Sequence, residues 1–233
     1  MAETAYRTAL IVGVGSGLSA SLARVFAKAG LKVGLAARRA DNLKALAQET
    51  GAKAFACDST DRLQVAKLFA DVEAALGALD VVVYNASYRT RGPFVELNAD
   101  EVAKSLFVTA FGGFLVAQEA AKRMVPQGRG AIFFTGASAS VKGYAQSAPF
   151  AMGKFALRGL AQSMARELQP QGIHVGHVVI DGGIRSARRP DPPDKPDSLL
   201  DPEAIAQSYL HLLQQPRSAW AWEIELRPWV ERF

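Results

Sequence analysis

The sequence predicts an α/β fold, a doubly wound parallel sheet with helices on both faces. Three observations carry this. Short apolar runs alternate along the whole chain with amphipathic stretches of helical period. Several runs, such as Val81-Val82-Val83, are apolar at successive positions, as a strand buried on both faces requires. A glycine-rich turn separates the first run from the first helix. Helical crossovers between strands make the neighbours parallel.

The elements follow in order. Residues 9–12 form a short apolar strand that ends in glycines. Residues 18–29 carry Leu22, Val25, Phe26 and Ala29 at helical spacing. A second strand spans 31–36, a helix 42–49 and a third strand 53–57. The stretch 63–76 is amphipathic, 79–84 is a buried strand, and 100–124 reads as one long, largely apolar helix. A fifth strand covers 130–135, a helix 155–168, and a sixth strand 173–180. The last elements are a helix over 202–213 and a strand over 220–226. The Pro-rich run Arg189-Pro-Asp-Pro-Pro-Asp-Lys-Pro196 fits neither helix nor inner strand. It reads as a surface loop or as a lid, near 184–201, over a pocket at the strand ends.

The length of 233 residues suits one α/β domain of ordinary size or two small ones, no break reads as a linker, so a single domain over 1–233 is expected, and 49% apolar content allows a real core. No run of about eighteen apolar residues exists to span a bilayer, and no basic leader precedes an apolar segment. The lone Cys57 can form neither an internal disulfide nor a cysteine cage; it reads as a packed core thiol, and a cytoplasmic setting is expected. His174 and His177 lie three apart on a strand and so face opposite sides, which leaves no imidazole metal site. The net charge of +5 comes from scattered residues rather than a basic run with aromatics, so nucleic acid is not expected as a partner.

Gly13-Val-Gly15-Ser16-Gly17-Leu18-Ser19 lies between a strand and an amphipathic helix. Glycines there let the backbone approach a pyrophosphate, and the helix N-terminus aims free N–H groups at the same anion. The second strand ends at Arg38-Arg39, with no carboxylate for a ribose 2′-hydroxyl. Arginine suits a 2′-phosphate instead, so NADP(H) is expected over NAD(H). Asp58, just past the third strand, is placed either to accept from an adenine amino group or to stabilise a turn.

These motifs, taken together, resemble the short-chain dehydrogenase/reductase family over about residues 6 to 228. The glycine turn resembles TGxxxGxG, with Val12 and Ser19 as departures, and Asp58-Ser59 falls at the adenine-binding aspartate. Tyr84-Asn85-Ala86-Ser87 resembles NNAG, and Asp181-Gly182-Gly183-Ile184-Arg185-Ser186 resembles PGxxxT. The resemblance implies a seven-stranded sheet in the order 3-2-1-4-5-6-7. It also implies cofactor contacts at Gly13, Gly15, Ser16, Gly17, Leu18, Arg38, Arg39, Asp58, Ser59, Asn85, Ala86, Lys154, Gly182, Ile184 and Ser186.

The family's catalytic positions are mostly replaced. Lys154 is present, but Phe150 stands four residues before it, where the family has its proton-donating tyrosine. Ala137 falls at the serine and Thr109 at the asparagine of the long helix. Phenylalanine has no proton to give, and general acid–base help is worth ~10²–10⁴ in rate. Ser138, one residue on, reaches the serine position only if the loop shifts. Tyr144 supplies a phenol only if its loop folds inward, and Tyr88 is a weaker candidate. Enoyl reductases of the family place tyrosine seven before the lysine, and here that residue is Ser147. Asp181 reads first as a cap of the turn that follows it. Arg185, Arg188 and Arg189 near the lid would suit an anionic substrate or stand solvated.

The expected function is therefore an NADP(H)-dependent oxidoreductase on a carbonyl, enone or alcohol, with a non-standard active site. The alternative is an NADP(H)-binding pseudoenzyme that acts as a sensor or interaction module. A homodimer or homotetramer is implied by the family, and Phe107, Phe111, Phe114 and Leu115 fit a helical interface.

Overall fold

The computed structural model describes residues 6–232. Seven parallel strands form one sheet in the order β3-β2-β1-β4-β5-β6-β7, as the resemblance implies. They are β1 (Thr8–Val12), β2 (Lys32–Ala37), β3 (Lys53–Ala56), β4 (Val81–Tyr84), β5 (Gly130–Thr135), β6 (Ile173–Ile180) and β7 (Glu223–Leu226). The helices are α1 (Leu18–Lys28), α2 (Lys44–Thr50), α3 (Arg62–Leu76), α4 (Ala99–Leu106), α5 (Gly112–Met124), α6 (Ala148–Leu168) and α7 (Pro202–Gln214).

Side chains alternate across the sheet and seed two cores. Leu10, Val12, Val82, Tyr84, Ile132 and Phe134 face α3, α5 and α6. Ala9, Ile11, Val81, Val83, Ala131 and Phe133 face α1 and α7, with Leu46 of α2 at the margin. Both layers are apolar because both faces are covered, which explains the unbroken apolar strands. β1 pairs with β2 on one side and β4 on the other. Connections leave these two strands in opposite directions, and a crevice opens at their carboxyl ends.

Four elements differ from the sequence expectation. The 100–124 helix is broken by a π-helical turn over Phe107–Phe111, with α4 before it and α5 after. The cause is Tyr84, whose fully buried hydroxyl donates to the Val108 carbonyl. A wide turn frees carbonyls from the i→i−4 ladder, and a side chain on Gly112 would meet the Tyr84 hydroxyl oxygen. Helix α6 begins seven residues before the expected 155, at Ala148. Ala148, Ala151 and Gly153 give no apolar period there, and Pro149 suits a first turn. β4 starts at Val81 because Asp80 instead accepts from the amides of Arg7 and Thr8. β7 starts at Glu223: Trp220 lies flat on His174, with ring centroids 4.8 Å apart, and its indole donates to the Gln215 carbonyl. The remaining bounds shift by a residue or two, and a 3₁₀ turn (Ala40–Leu43) precedes α2.

The 184–201 segment is ordered rather than loose. Ile184 bridges Leu200, and Ser186 bridges Arg189. Arg185 donates to Asp191 at 3.0 Å and Asp201 at 2.7 Å, and the Leu199 amide donates to Asp191.

Candidate active site

Two clefts of about 640 and 540 Å³ meet at Gly13, Asn85 and Ser87, across the carboxyl ends of β1 and β4. Gly13 has φ +88°, and a methyl group there would overlap the backbone of Ala86. Side chains on Gly15 and Gly17 would instead enter open space, so the bare backbone of this turn faces the cleft. Helix α1 starts at Gly17 without a side-chain cap, leaving amides of its first turn free for an anion. The turn is braced from behind: Asn85 Nδ2 donates to Ser19 Oγ at 2.6 Å, and Ser19 Oγ donates to the Gly13 carbonyl at 3.2 Å. These features fit a dinucleotide pyrophosphate.

Gly13, Gly15, Gly17, Leu18, Asn85, Lys154, Gly182 and Ile184 line the larger cleft. Arg38, Arg39, Asp58, Ser59 and Ala86 line the smaller one. Ser16 and Ser186 line neither, although the motif implies both; Ser186 instead exchanges backbone hydrogen bonds with Arg189. Asp58 Oδ1 accepts from the amide and hydroxyl of Thr60, so it stabilises a turn while it lines the cleft. Asp61, not Asp58, caps α3. Ser59 Oγ lies 3.2 Å from the Tyr84 hydroxyl.

Lys154 sits one turn after Phe150 on α6 and is fully buried, with Nζ donating to the Thr135 carbonyl at 2.7 Å. Burial pushes its ammonium down to about 8. Phe150 lines the same cleft; the Lys154 ammonium lies 5.8 Å from its ring centroid and the Arg89 guanidinium 4.9 Å. Tyr144 is half-exposed and lines this end of the cleft, as do Ala137 and Ser138. Thr109, buried in the π turn, accepts from the Tyr88 amide at 3.3 Å. The Tyr88 hydroxyl donates to Glu101, which removes it as a proton donor to the cleft.

Two expectations are corrected. Asp181 does not cap the turn after β6; its carboxylate takes Lys142 at 3.0 Å and Arg227 at 3.3 Å. Burial alone would raise its pKa, but hydrogen bonds from Ser138 and Lys142, with Arg227 close by, hold the carboxyl below its ordinary value. A buried carboxylate needs such partners more than a solvent-facing turn needs a cap. Arg185 is not free for a ligand, because Asp191 and Asp201 engage it. Arg189 does line the cleft, joined by Arg89 and Arg91. Arg89 and Arg91 leave one trace in the sequence, two arginines placed just after a central strand, whereas Ser147, which also lines the cleft, leaves none.

Cys57 is buried, and burial pushes its thiol up to about 11, so it is inert packing rather than a nucleophile. His177 lies on the opposite sheet face from His174. Its Nδ1 is 2.9 Å from Glu223, which also takes a bidentate pair from Arg158. Burial pushes His177 down to about 4 against the pull of Glu223, so the ring is neutral near pH 7. Among the described residues no group of acids, histidines or cysteines could hold a metal, and no helix is long and apolar enough to cross a membrane.

Comparison with known proteins agrees with this geometry. Residues 7–191 match the short chain dehydrogenase family. A cyclic-di-GMP-binding biofilm dispersal mediator protein from Escherichia coli K12 is 35% identical over 185 residues, 79% of this chain and 76% of that protein. A short-chain dehydrogenase structure from Rhodopseudomonas palustris is 34% identical with a TM-score of 0.83, covering 96% of this chain and 99% of that one. A metagenomic short-chain oxidoreductase in complex with NADP is 27% identical with a TM-score of 0.84, covering 95% and 97%. By its sheet order, its glycine turn and this family match, the chain belongs to the short chain dehydrogenases.

Proposed function

We propose that the protein is an NADP(H)-dependent oxidoreductase that reduces a small carbonyl or enone compound, or oxidises the matching alcohol, without the usual tyrosine. The observation that carries this reading is Lys154. A buried ammonium that donates to a backbone carbonyl and is pushed down to about 8 is costly to keep in a fold that has no use for it. It opens on the same cleft as the bare glycine turn.

In this reading the amides of Gly15, Gly17 and Leu18 hold the pyrophosphate, and Arg38 and Arg39 hold a 2′-phosphate. Lys154 and Asn85 line the cleft toward the nicotinamide end. A bound nicotinamide supplies or takes the hydride. This chain's own residues position the substrate against Phe150, exclude water, and move one proton. We assign that proton to Tyr144, the one phenol lining this part of the cleft among the described residues. Phe150 and Ala137 have no proton to give, and the Ser138 alcohol is a weaker acid than a phenol. The substrate is a small molecule, and an anionic one suits the cleft's arginines. We further propose a homodimer or homotetramer formed through the exposed aromatic faces of the π turn, α5 and α6.

The test is titration of the pure protein with NADPH and NADH, followed by fluorescence and thermal shift. NADPH should bind about tenfold or more tighter than NADH, and Arg38→Gln should remove most of that preference. Equal affinity for the two would overturn the 2′-phosphate reading. No binding of either would end the oxidoreductase reading altogether.

A second reading has its own support. Phe150 and Ala137 lack acid chemistry, and one relative is named for a nucleotide it binds rather than for a reaction. The protein would then bind NADP(H), or a cyclic dinucleotide, as a sensor. NADPH binding with no turnover across ketones, aldehydes, enones and alcohols would favour it, as would saturable cyclic-di-GMP binding. If Phe150→Tyr with Ala137→Ser lowered an existing activity, this second reading would lose its support.

A further inference from the structure

The end of the larger cleft nearest Phe150 is crowded with positive charge. Arg89, Arg91 and Arg189 all line it. Among the described residues, no carboxylate forms an ion pair with any of the three. Two acids share the lining. Asp181 is already held by Lys142 and Arg227, and Glu231 makes no ion pair with the arginines. Arg89 lies over the Phe150 ring at 4.9 Å, and Arg189 packs its guanidinium where a side chain on Gly183 would stand. Burial, Arg91 and Arg189 all disfavour the charge on Arg89. Guanidinium cannot shed its proton in a protein, so the three charges stay together at the solvent-open mouth of the cleft, where an anion can reach them.

An independent observation lies beside them. Ser147 is buried and lines the same end of the cleft, yet its hydroxyl has no hydrogen-bond partner. The residue before it, Gln146, has φ +59°, a left-handed conformation unusual for a residue other than glycine. The Gly92 amide donates to the Gln146 carbonyl at 3.2 Å. One strained turn thus presents the orphan hydroxyl and ties it to the loop that carries Arg89 and Arg91.

We propose that Arg89, Arg91, Arg189 and Ser147 form an oxyanion-binding site that takes a carboxylate or phosphate of the ligand at the Phe150 end of the cleft. The planar forks of arginine suit both groups, and the free Ser147 hydroxyl adds a neutral donor. This deepens the oxidoreductase reading by assigning the substrate class: a carbonyl or alcohol compound bearing an anionic group. Arg38 and Arg39 line the other cleft, so this site is separate from the one assigned to the cofactor phosphate.

The test is calorimetric titration of NADPH-saturated protein with glutarate and, separately, with inorganic phosphate at low ionic strength. At least one anion should bind. Arg89→Gln with Arg91→Gln should weaken it about tenfold or more, and Ser147→Ala severalfold, with NADPH affinity and melting temperature unchanged. Stronger binding of glutarate assigns a carboxylate; stronger binding of phosphate assigns a phosphate ester. If neither anion binds, or if binding survives loss of all three arginines, the site is refuted. If NADPH itself fails to bind, the cofactor reading falls. The same titration of cofactor-free protein carrying Arg38→Gln and Arg39→Gln, with and without Arg89→Gln and Arg91→Gln, then decides the anion site alone, because an anion held at the glycine turn would not respond to that second pair.

Discussion

Lys154 is buried beneath the cleft, and among the described residues its ammonium donates to the Thr135 carbonyl. Its ordinary pKa of 10.5 falls to about 8 in the folded chain. Between those values the unfolded chain binds more protons than the folded one, so this group makes stability rise with pH across that window. Below pH 8 both states are protonated and the burial cost is fully present. Lys154→Met should therefore raise the melting temperature most at pH 7 and progressively less toward pH 10; a constant difference across that range would count against the buried-ammonium account. Tyr144 gives a second expectation. Tyr144→Phe should lower kcat about a hundredfold with little change in KM, since it removes a proton and not a contact surface. An unchanged kcat would move the proton elsewhere. At this scale the sequence was informative where chemistry and spacing coincide, as at Gly13, Arg38 and Lys154. It misled at Asp181, which reads locally as a turn cap, because its partners Lys142 and Arg227 lie 39 and 46 positions away. It was silent on Arg89 for a related reason: nothing local says that Arg189 converges on it.

Among the elements, the π turn between α4 and α5 is the clearest case of tertiary structure overriding a local pattern. The apolar period through 100–124 is real, and both halves are helical. What the period cannot show is that Tyr84, from a strand sixteen or more residues earlier, drives its hydroxyl toward the Val108 carbonyl and Ser59. Tyr84→Phe keeps the ring and removes the donor. It should cost about 1–3 kcal/mol in urea unfolding, the penalty of a buried carbonyl left unpaired. No loss would mean that the turn relaxes to an ordinary α-helix without it. The early start of α6 was hidden for the opposite reason, because its first residues are small and carry no period. Phe150 and Lys154 consequently share one rigid helix rather than a loop and a helix.

For the whole molecule, the sheet order and both cores follow from runs and glycines that the sequence displays openly. An interface is harder to read. Phe107, Phe111, Phe114, Met152 and Phe155 are exposed together on the π turn, α5 and α6. Phe107 meets Phe111 edge-on at 5.5 Å, and Phe111 stacks on Phe114 at 6.2 Å. Large exposed apolar patches are uncommon on monomers. Light scattering after gel filtration should give a dimer or larger, and Phe111→Glu with Phe155→Glu should give monomer. Wild-type protein that elutes only as monomer at micromolar concentration would sink this expectation. Acid should also weaken the whole fold. His177 is neutral when folded, with its pKa down at about 4, and titrates at its ordinary 6.5 when unfolded. Its contribution is complete above pH 6.5 and drains away as pH falls toward 4. His177→Gln should flatten that part of the curve.

The placement of β1 between β2 and β4 has a consequence for how the chain is made. During synthesis β2 emerges soon after β1 and can pair with it at once. The other edge of β1 stays open until Val81–Tyr84 has left the ribosome, some seventy residues later. Until then a nascent three-stranded sheet shows unpaired amides and bare apolar faces, the kind of edge that invites wrong partners. The pairing that closes this edge, β1 with β4, is the same one whose carboxyl ends later open into the cleft.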